Sequence, residues 1–237
     1  MICDNETGQC TISSVPVTSN LFSTQEAKDS VTVHYIGDPM CSWCWGIYGS
    51  LKALETWCRE HGFRFVLTNG GLRAGGGDEW NTAFKRFLRE EWRHINRVTG
   101  QPFNFSLLEQ DEFNYDTEPA CRAVVSASII RPDAKLQFFH ETQRKFYTES
   151  VDPKEPSFYR SICEKTDINF EEFKAIFASQ LSANETYKEF SQARQFGVNS
   201  FPTILLEKSG VIKRVVSGYI NEHDIIKNIT AMNKEFK

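Results

Sequence analysis

Apolar positions along the 237-residue chain change their spacing several times, and each change marks a structural element. Residues 31–36 form a short run of β-branched and aromatic side chains closed by Gly37-Asp38-Pro39, which predicts a buried strand and a turn. From residue 41 the spacing becomes three and four: Ile47, Leu51, Leu54 and Trp57 or Cys58 line one face of a helix that Gly62 can cap. Residues 63–68 return to strand character before Asn69-Gly70-Gly71, giving a βαβ unit with a parallel pair. Periodicity is helical from residue 72 to residue 197, with helices predicted at 79–98, 118–130, 133–149, 157–165, 170–179 and 184–196. Residues 203–207 and 211–216 then predict a hairpin turning at Lys208-Ser209-Gly210, and Asn221 caps a final helix over 222–234. The first 28 residues mix Ser, Thr, Asn, Gly and Pro without periodicity and predict a flexible arm.

Strand, helix, strand, helical insert, strand, strand, helix is the order of a thioredoxin fold interrupted once. The expected class is therefore α/β, with a thioredoxin-like domain from residues 29–71 and 198–237 and an all-helical insertion domain at 72–197.

Composition adds mostly exclusions. With 40% hydrophobic and 24% charged residues the chain reads as an ordinary globular protein, and a net charge of -4 gives no overall footprint for nucleic acid or an anionic membrane. The most basic stretch, residues 85–97, interleaves its arginines with aromatic and aliphatic side chains and reads as the solvated face of an amphipathic helix. Neither a signal-peptide core nor an apolar run long enough to span a bilayer is visible, so a soluble, cytoplasmic protein is expected, of open oligomeric state. Seven cysteines, an odd number, argue against a structural disulfide framework. Cys58, Cys121 and Cys163 fall in apolar helical patterns and are expected to be small buried hydrophobes. Cys3 and Cys10 are expected to be free thiols in the arm, with an auxiliary redox pair as the alternative.

Cys41-Ser42-Trp43-Cys44 follows a strand and turn and opens a helix, the context of a redox pair. Residues three apart on a helix have Cβ atoms roughly 5 to 6 Å apart, close to disulfide range. Unpaired N–H groups at the helix start favour the thiolate, so Cys41 is expected to attack, with its pKa lowered to roughly 5 to 7.5. Cys44, one turn inside, is expected to resolve the mixed disulfide. A zinc set of Cys41, Cys44, Cys58 and His61 would require the intervening helix not to exist, because about 20 Å of helix separates the two pairs; no metal is expected.

Asp38-Pro39-Met40-Cys41-Ser42-Trp43-Cys44-Trp45-Gly46 resembles the active site of the DsbA family, particularly its FrnE-like branch of predicted disulfide isomerases. Gly70-Gly71-Leu72, residues 118–125 and residues 197–203 extend the resemblance to the C-terminus. The resemblance implies a thioredoxin domain with a helical insertion and a cis Pro202 facing the cysteines. It also implies that the Phe201 backbone pairs with an extended substrate, and it makes Phe201, Pro202, Trp43 and Ser42 the candidate substrate-binding residues. Two departures matter. Ser42-Trp43 supplies no histidine between the cysteines, and Tyr35 stands where the family commonly has a buried acid, leaving water or His34 to carry the Cys44 proton.

The activity so implied is protein thiol-disulfide exchange, as reductase or isomerase, on protein or small-molecule disulfides. No bound cofactor is expected, and glutathione is the candidate reductant. Rival readings are a glutathione-dependent isomerase or transferase of the same fold, in which serine typically replaces the first cysteine, and a redox-regulated chaperone-like module. Residues 73–78 are glycine-rich without a phosphate-loop ending and read as a flexible crossing, while His94, His140 and His223 read as surface or capped histidines.

Overall fold

The computed structural model describes residues 2–4, 6–11 and 31–236. In chain order the strands and α-helices are β1 (Ile2–Asp4), β2 (Gln9–Thr11), β3 (Val31–Gly37), α1 (Ser42–Gly46), α2 (Tyr48–Glu60), β4 (Arg64–Asn69), α3 (Thr82–Thr99), α4 (Glu118–Ile130), α5 (Lys135–Glu149), α6 (Arg160–Lys165), α7 (Phe170–Phe177), α8 (Gln180–Gln195), β5 (Ser200–Phe201), β6 (Thr203–Lys208), β7 (Val211–Ser217) and α9 (Glu222–Lys234).

The main sheet runs β4-β3-β6-β7, with β3 parallel to β4 and antiparallel to β6. All seven residues of β3 are buried, as a strand covered on both faces requires, which explains why its sequence is nearly continuous rather than alternating. The last residue of this strand is a glycine, and a Cβ there would lie 2.6 Å from the Tyr35 hydroxyl. α2 packs on α9, while α8 packs on β4 from the helical insertion. The insertion has an aromatic core, in which Trp92 stacks on Phe103 and meets Tyr147 edge-on.

Local start signals behave as the sequence implies. Asn81, Asn169, Ser179 and Asn221 each accept a first-turn backbone N–H, and Gly62 and Gly100 follow helices with φ of 72° and 75°. Arg86, Arg93 and Arg97 lie on the exposed face of α3. The helix expected from residue 41 to residue 61 is two: it turns at Ile47, next to Gly46, where α3 approaches so closely that a Cβ would sit 3.1 Å from Ile95.

Three strands were not anticipated. β1 and β2 form an antiparallel hairpin, and β2 adds antiparallel to β5, making a second, three-stranded sheet. Residues 2–4 and 9–11 are therefore paired backbone rather than a flexible arm; residues 12–28 of that arm lie outside the described residues. The crossing at residues 73–78 is also pinned. Arg73 is 6% exposed, its carbonyl accepts from Thr117 N, and Gly75 N donates to Asp116 Oδ1 at 2.8 Å. The glycines allow positive φ at residues 75, 76 and 77.

Candidate active site around Cys41 and Cys44

Cys41 is the N-cap of α1 in extended conformation, and Cys44 lies one turn inside; both are thiols and both are fully buried. The Phe201-Pro202 peptide bond is cis, and the Phe201 carbonyl oxygen lies 3.9 Å from Cys41 Sγ. The sulfurs sit in an apolar cluster with Cys10, Ile36, Trp43, Leu72, Val198 and Phe201. Trp43 is 2% exposed, between His94 and Tyr219 with ring centroids 5.7 and 5.8 Å away, and Ser42 is 6% exposed. Gly70 lets the Phe201 ring in: a Cβ there would stand 2.1 Å from it.

The residue before Cys41 is held from the insertion. Tyr115 and Tyr147 both donate their hydroxyls to the Met40 carbonyl, at 2.9 and 2.7 Å. Asp38, fully buried, accepts from Met40 N at 2.8 Å, Leu72 N at 2.7 Å, Thr117 Oγ1 at 2.8 Å and Cys121 Sγ at 3.4 Å. One carboxylate thus ties the turn before Cys41 to the crossing segment and to α4. Burial raises its pKa, and those four donors oppose the rise. Arg73 is the buried cation of this wall, lying over the Phe84 ring at 4.5 Å and within electrostatic reach of Asp38 and Cys41.

The thiolate expectation for Cys41 is overturned in this arrangement. Burial pushes its thiol well above the ordinary value, and the adjacent Cys44 thiol adds to the rise, while the Cys44 backbone N–H pulls the other way. A five-residue α1 that turns at Ile47 supplies too little field to win against complete desolvation.

The partners of His34 and Tyr35 answer the open question at Tyr35. His34 points away from the sulfurs, with Nε2 2.7 Å from Glu207 and its ring against Phe196. Tyr35 is fully buried, and burial, then Cys44, Cys41 and Asp38, raise its pKa well above normal. Tyr35 is therefore the titratable neighbour of Cys44. Cys58, Cys121 and Cys163 are buried as expected, although Cys121 also donates to Asp38. His140 departs from the surface reading: it is half-buried and stacks on Trp45 and Tyr48. Cys10 departs too, being disulfide-bonded and fully buried.

Asp38, Arg73, Tyr115 and Tyr147 were not legible as site residues. Asp38 stands in a turn signal and opens the segment that resembles the DsbA-family active site, but neither gives it a role of its own, and the tyrosines lie more than 70 residues downstream in helical-insert sequence that carries no motif.

With these features the chain has a DsbA-like thioredoxin fold carrying a helical insertion. Among solved structures it is similar to a provisionally assigned protein disulfide isomerase from Nitrosomonas europaea, at 27% identity and TM-score 0.77 over 88% of this chain and 100% of that one. It is also similar to the cytosolic disulfide reductase DsbM from Pseudomonas aeruginosa, at 22% identity and TM-score 0.68 over 86% of this chain and 98% of that one; DsbM has also been solved with GSH. Among curated proteins it matches the ClpXP adapter protein SpxH of Bacillus subtilis, 22% identical over 178 residues, 75% of this chain and 58% of that protein. The chain therefore spans less than two thirds of that curated relative. No family model matches. Among the described residues no helix is long and apolar enough to cross a membrane.

Proposed function

We propose that the protein is a thiol-disulfide oxidoreductase that works as a reductase or isomerase through Cys41 and Cys44. The observation that carries this reading is the Cys41 thiol at the start of α1, 3.9 Å from the carbonyl of Phe201, the residue that precedes cis Pro202. A substrate chain that takes the place of β2 on β5 brings its disulfide to Cys41 by strand addition, with Phe201 and Pro202 as the backbone edge and Ser42 and Trp43 as its side-chain surroundings. Cys41, as thiolate, attacks one substrate sulfur and releases the other; Cys44 then attacks Cys41 and frees the reduced substrate. Tyr35, a neutral phenol beside Cys44, can donate its hydroxyl to the Cys44 thiolate, water carries the proton away, and Asp38 with Tyr115 and Tyr147 positions Met40 and hence Cys41.

Residues 29–71 and 198–237 carry the exchange in this reading, and residues 72–197 wall the site. No bound cofactor is required. The likeness to a cytosolic disulfide reductase solved with GSH supports a small thiol such as glutathione as reductant and a cytoplasmic setting. Insulin reduction, followed with glutathione or dithiothreitol as donor, tests the proposal. Turnover by the wild-type chain and none by Cys41→Ser is the expected result; equal turnover by both would overturn it.

A further inference from the structure

We infer that the N-terminal hairpin carries a second redox pair, Cys10 with its register partner Cys3, which exchanges its disulfide directly with Cys41 and Cys44. The inference rests on the oxidoreductase reading and extends it to an internal partner.

β2 lies antiparallel on β5 with Cys10 opposite Phe201, the residue whose carbonyl is 3.9 Å from Cys41 Sγ. This is the edge a substrate chain takes by strand addition. Cys10 is fully buried in the same apolar cluster as Cys41 and Cys44 and is disulfide-bonded, whereas Cys41, Cys44, Cys58, Cys121 and Cys163 are all free thiols. The chain has seven cysteines, and Cys3 faces Cys10 across the hairpin register.

The docking is specific. Gln9 Nε2 donates to the Ser217 carbonyl at 2.8 Å. Glycines permit the close approach on both sides: at Gly8, with φ of 65°, a Cβ would meet Tyr219 Cβ at 2.8 Å and Trp43 at 3.1 Å, and at Gly218, with φ of 98°, a Cβ would meet the Thr7 carbonyl oxygen at 1.9 Å. The hairpin thus stands as a substrate strand would, presenting a disulfide to a reduced pair.

The exchange balances without an outside reagent. Cys41 thiolate attacks Cys10 Sγ, the Cys3–Cys10 bond breaks, and Cys3 leaves as a thiolate that takes up the proton Cys41 lost. Cys44 then attacks Cys41, Cys10 leaves and takes up the Cys44 proton. Two electrons pass from the helix pair to the hairpin pair, and the reverse sequence returns them.

The test uses the full chain carrying Cys3→Ser and Cys44→Ser, which leaves Cys10 and Cys41 as the reacting thiols, treated with oxidised glutathione, alkylated and mapped by mass spectrometry without reduction. The expected result is a linked peptide pair joining Cys10 to Cys41, forming faster than any Cys3–Cys41 link in the Cys10→Ser, Cys44→Ser control. Recovery of Cys10 and Cys41 only as separate glutathione or alkyl adducts would overturn the inference. Insulin reduction by Cys3→Ser, Cys10→Ser, which keeps the helix pair, separates the two readings. Turnover there without a Cys10–Cys41 link sinks the internal exchange alone. Its absence in wild type and variant alike sinks the oxidoreductase reading.

Discussion

Two walls enclose Cys41, and they are built differently. On the side of the helical insertion the contacts are polar, convergent and specific: Asp38 accepts from four donors, and two tyrosines share the Met40 carbonyl. On the side of the hairpin the contacts are backbone pairing and apolar packing, with Cys10, Trp43 and Phe201 in one cluster. The first wall cannot be removed without stranding buried hydrogen-bonding groups, each costing about 1 to 3 kcal/mol. The second asks of its occupant mainly an extended backbone and a small apolar surface, with a single side-chain hydrogen bond from Gln9 to the Ser217 carbonyl, and another chain can supply the backbone and the apolar surface. The insertion therefore positions the sulfur, and the hairpin guards it.

The largest effect should come from what both walls surround. Cys41→Ser should lower insulin reduction by at least about a thousandfold, because a neutral hydroxyl cannot replace a thiolate. Cys44→Ser should also lose turnover but accumulate a mixed disulfide through Cys41, visible on non-reducing electrophoresis and removed by reductant. Trapping by Cys41→Ser instead would reverse the roles assigned to the two sulfurs.

Next in size is the fixed wall. Asp38→Ala strands Leu72 N, Met40 N and Thr117 Oγ1 at once in a buried site. Chemical denaturation should show a loss of about 3 kcal/mol or more, with slower exchange by whatever folded protein remains. A loss under about 1 kcal/mol would mean that water replaces the carboxylate and that this wall is no more specific than the other.

The contrast between the walls also explains what the sequence could and could not reveal. β3, β6, β7, α9 and most insertion helices were legible because their signals are local: a β-branched run, a capping Asn221, apolar positions three and four apart. β1, β2 and β5 are only two or three residues long; β1 and β2 close a short local hairpin, but it is held in place by β2 pairing with β5 across nearly 200 positions, which no local pattern encodes. The cysteine motif was equally local, and so was the argument for a low Cys41 pKa from its helix. What reverses that pKa is burial by residues distant in sequence, including Cys10, Leu72 and Phe201. Asp38 belongs to a turn signal in the sequence, and Leu72, Thr117 and Cys121, none of them local to it, make it a hub.

A smaller effect should come from unseating the hairpin alone. Gly8→Val adds a side chain where φ is 65° and where Tyr219 and Trp43 leave no room. Iodoacetamide should then alkylate Cys41 about tenfold faster at neutral pH, because solvent relieves the burial that raises its pKa. Global stability should fall by about 1 to 3 kcal/mol, because unseating the hairpin also uncovers Cys10 and its apolar neighbours. Unchanged alkylation would mean that the insertion, not the hairpin, shields the sulfur.

The smallest effect separates the walls by pH. His140 belongs to the insertion side, stacked on Trp45 at 5.4 Å and against Tyr48, and burial lowers its pKa to about 4. Glu141 opposes that shift, while Arg144, Lys52 and Lys165 add to it. An unfolded histidine titrates near 6.5, so between the two values the unfolded chain binds the proton that the folded chain refuses. The stability this contributes is whole above about pH 6.5, falls as pH drops through the window, and loses nothing further below about pH 4. Because the ring is only half-buried, solvent screening reduces the effect to roughly 1 to 2 kcal/mol. His140→Phe keeps an aromatic ring in the stack and removes the titration, so urea midpoints of wild type and variant should run parallel above pH 7 and diverge between pH 6.5 and 4, with the wild type falling faster. Cys41 alkylation, corrected for its own titration, should not share that divergence, since the hairpin holds by main-chain pairing that His140 does not touch. If it does share it, the two walls move together and the site has one enclosure rather than two.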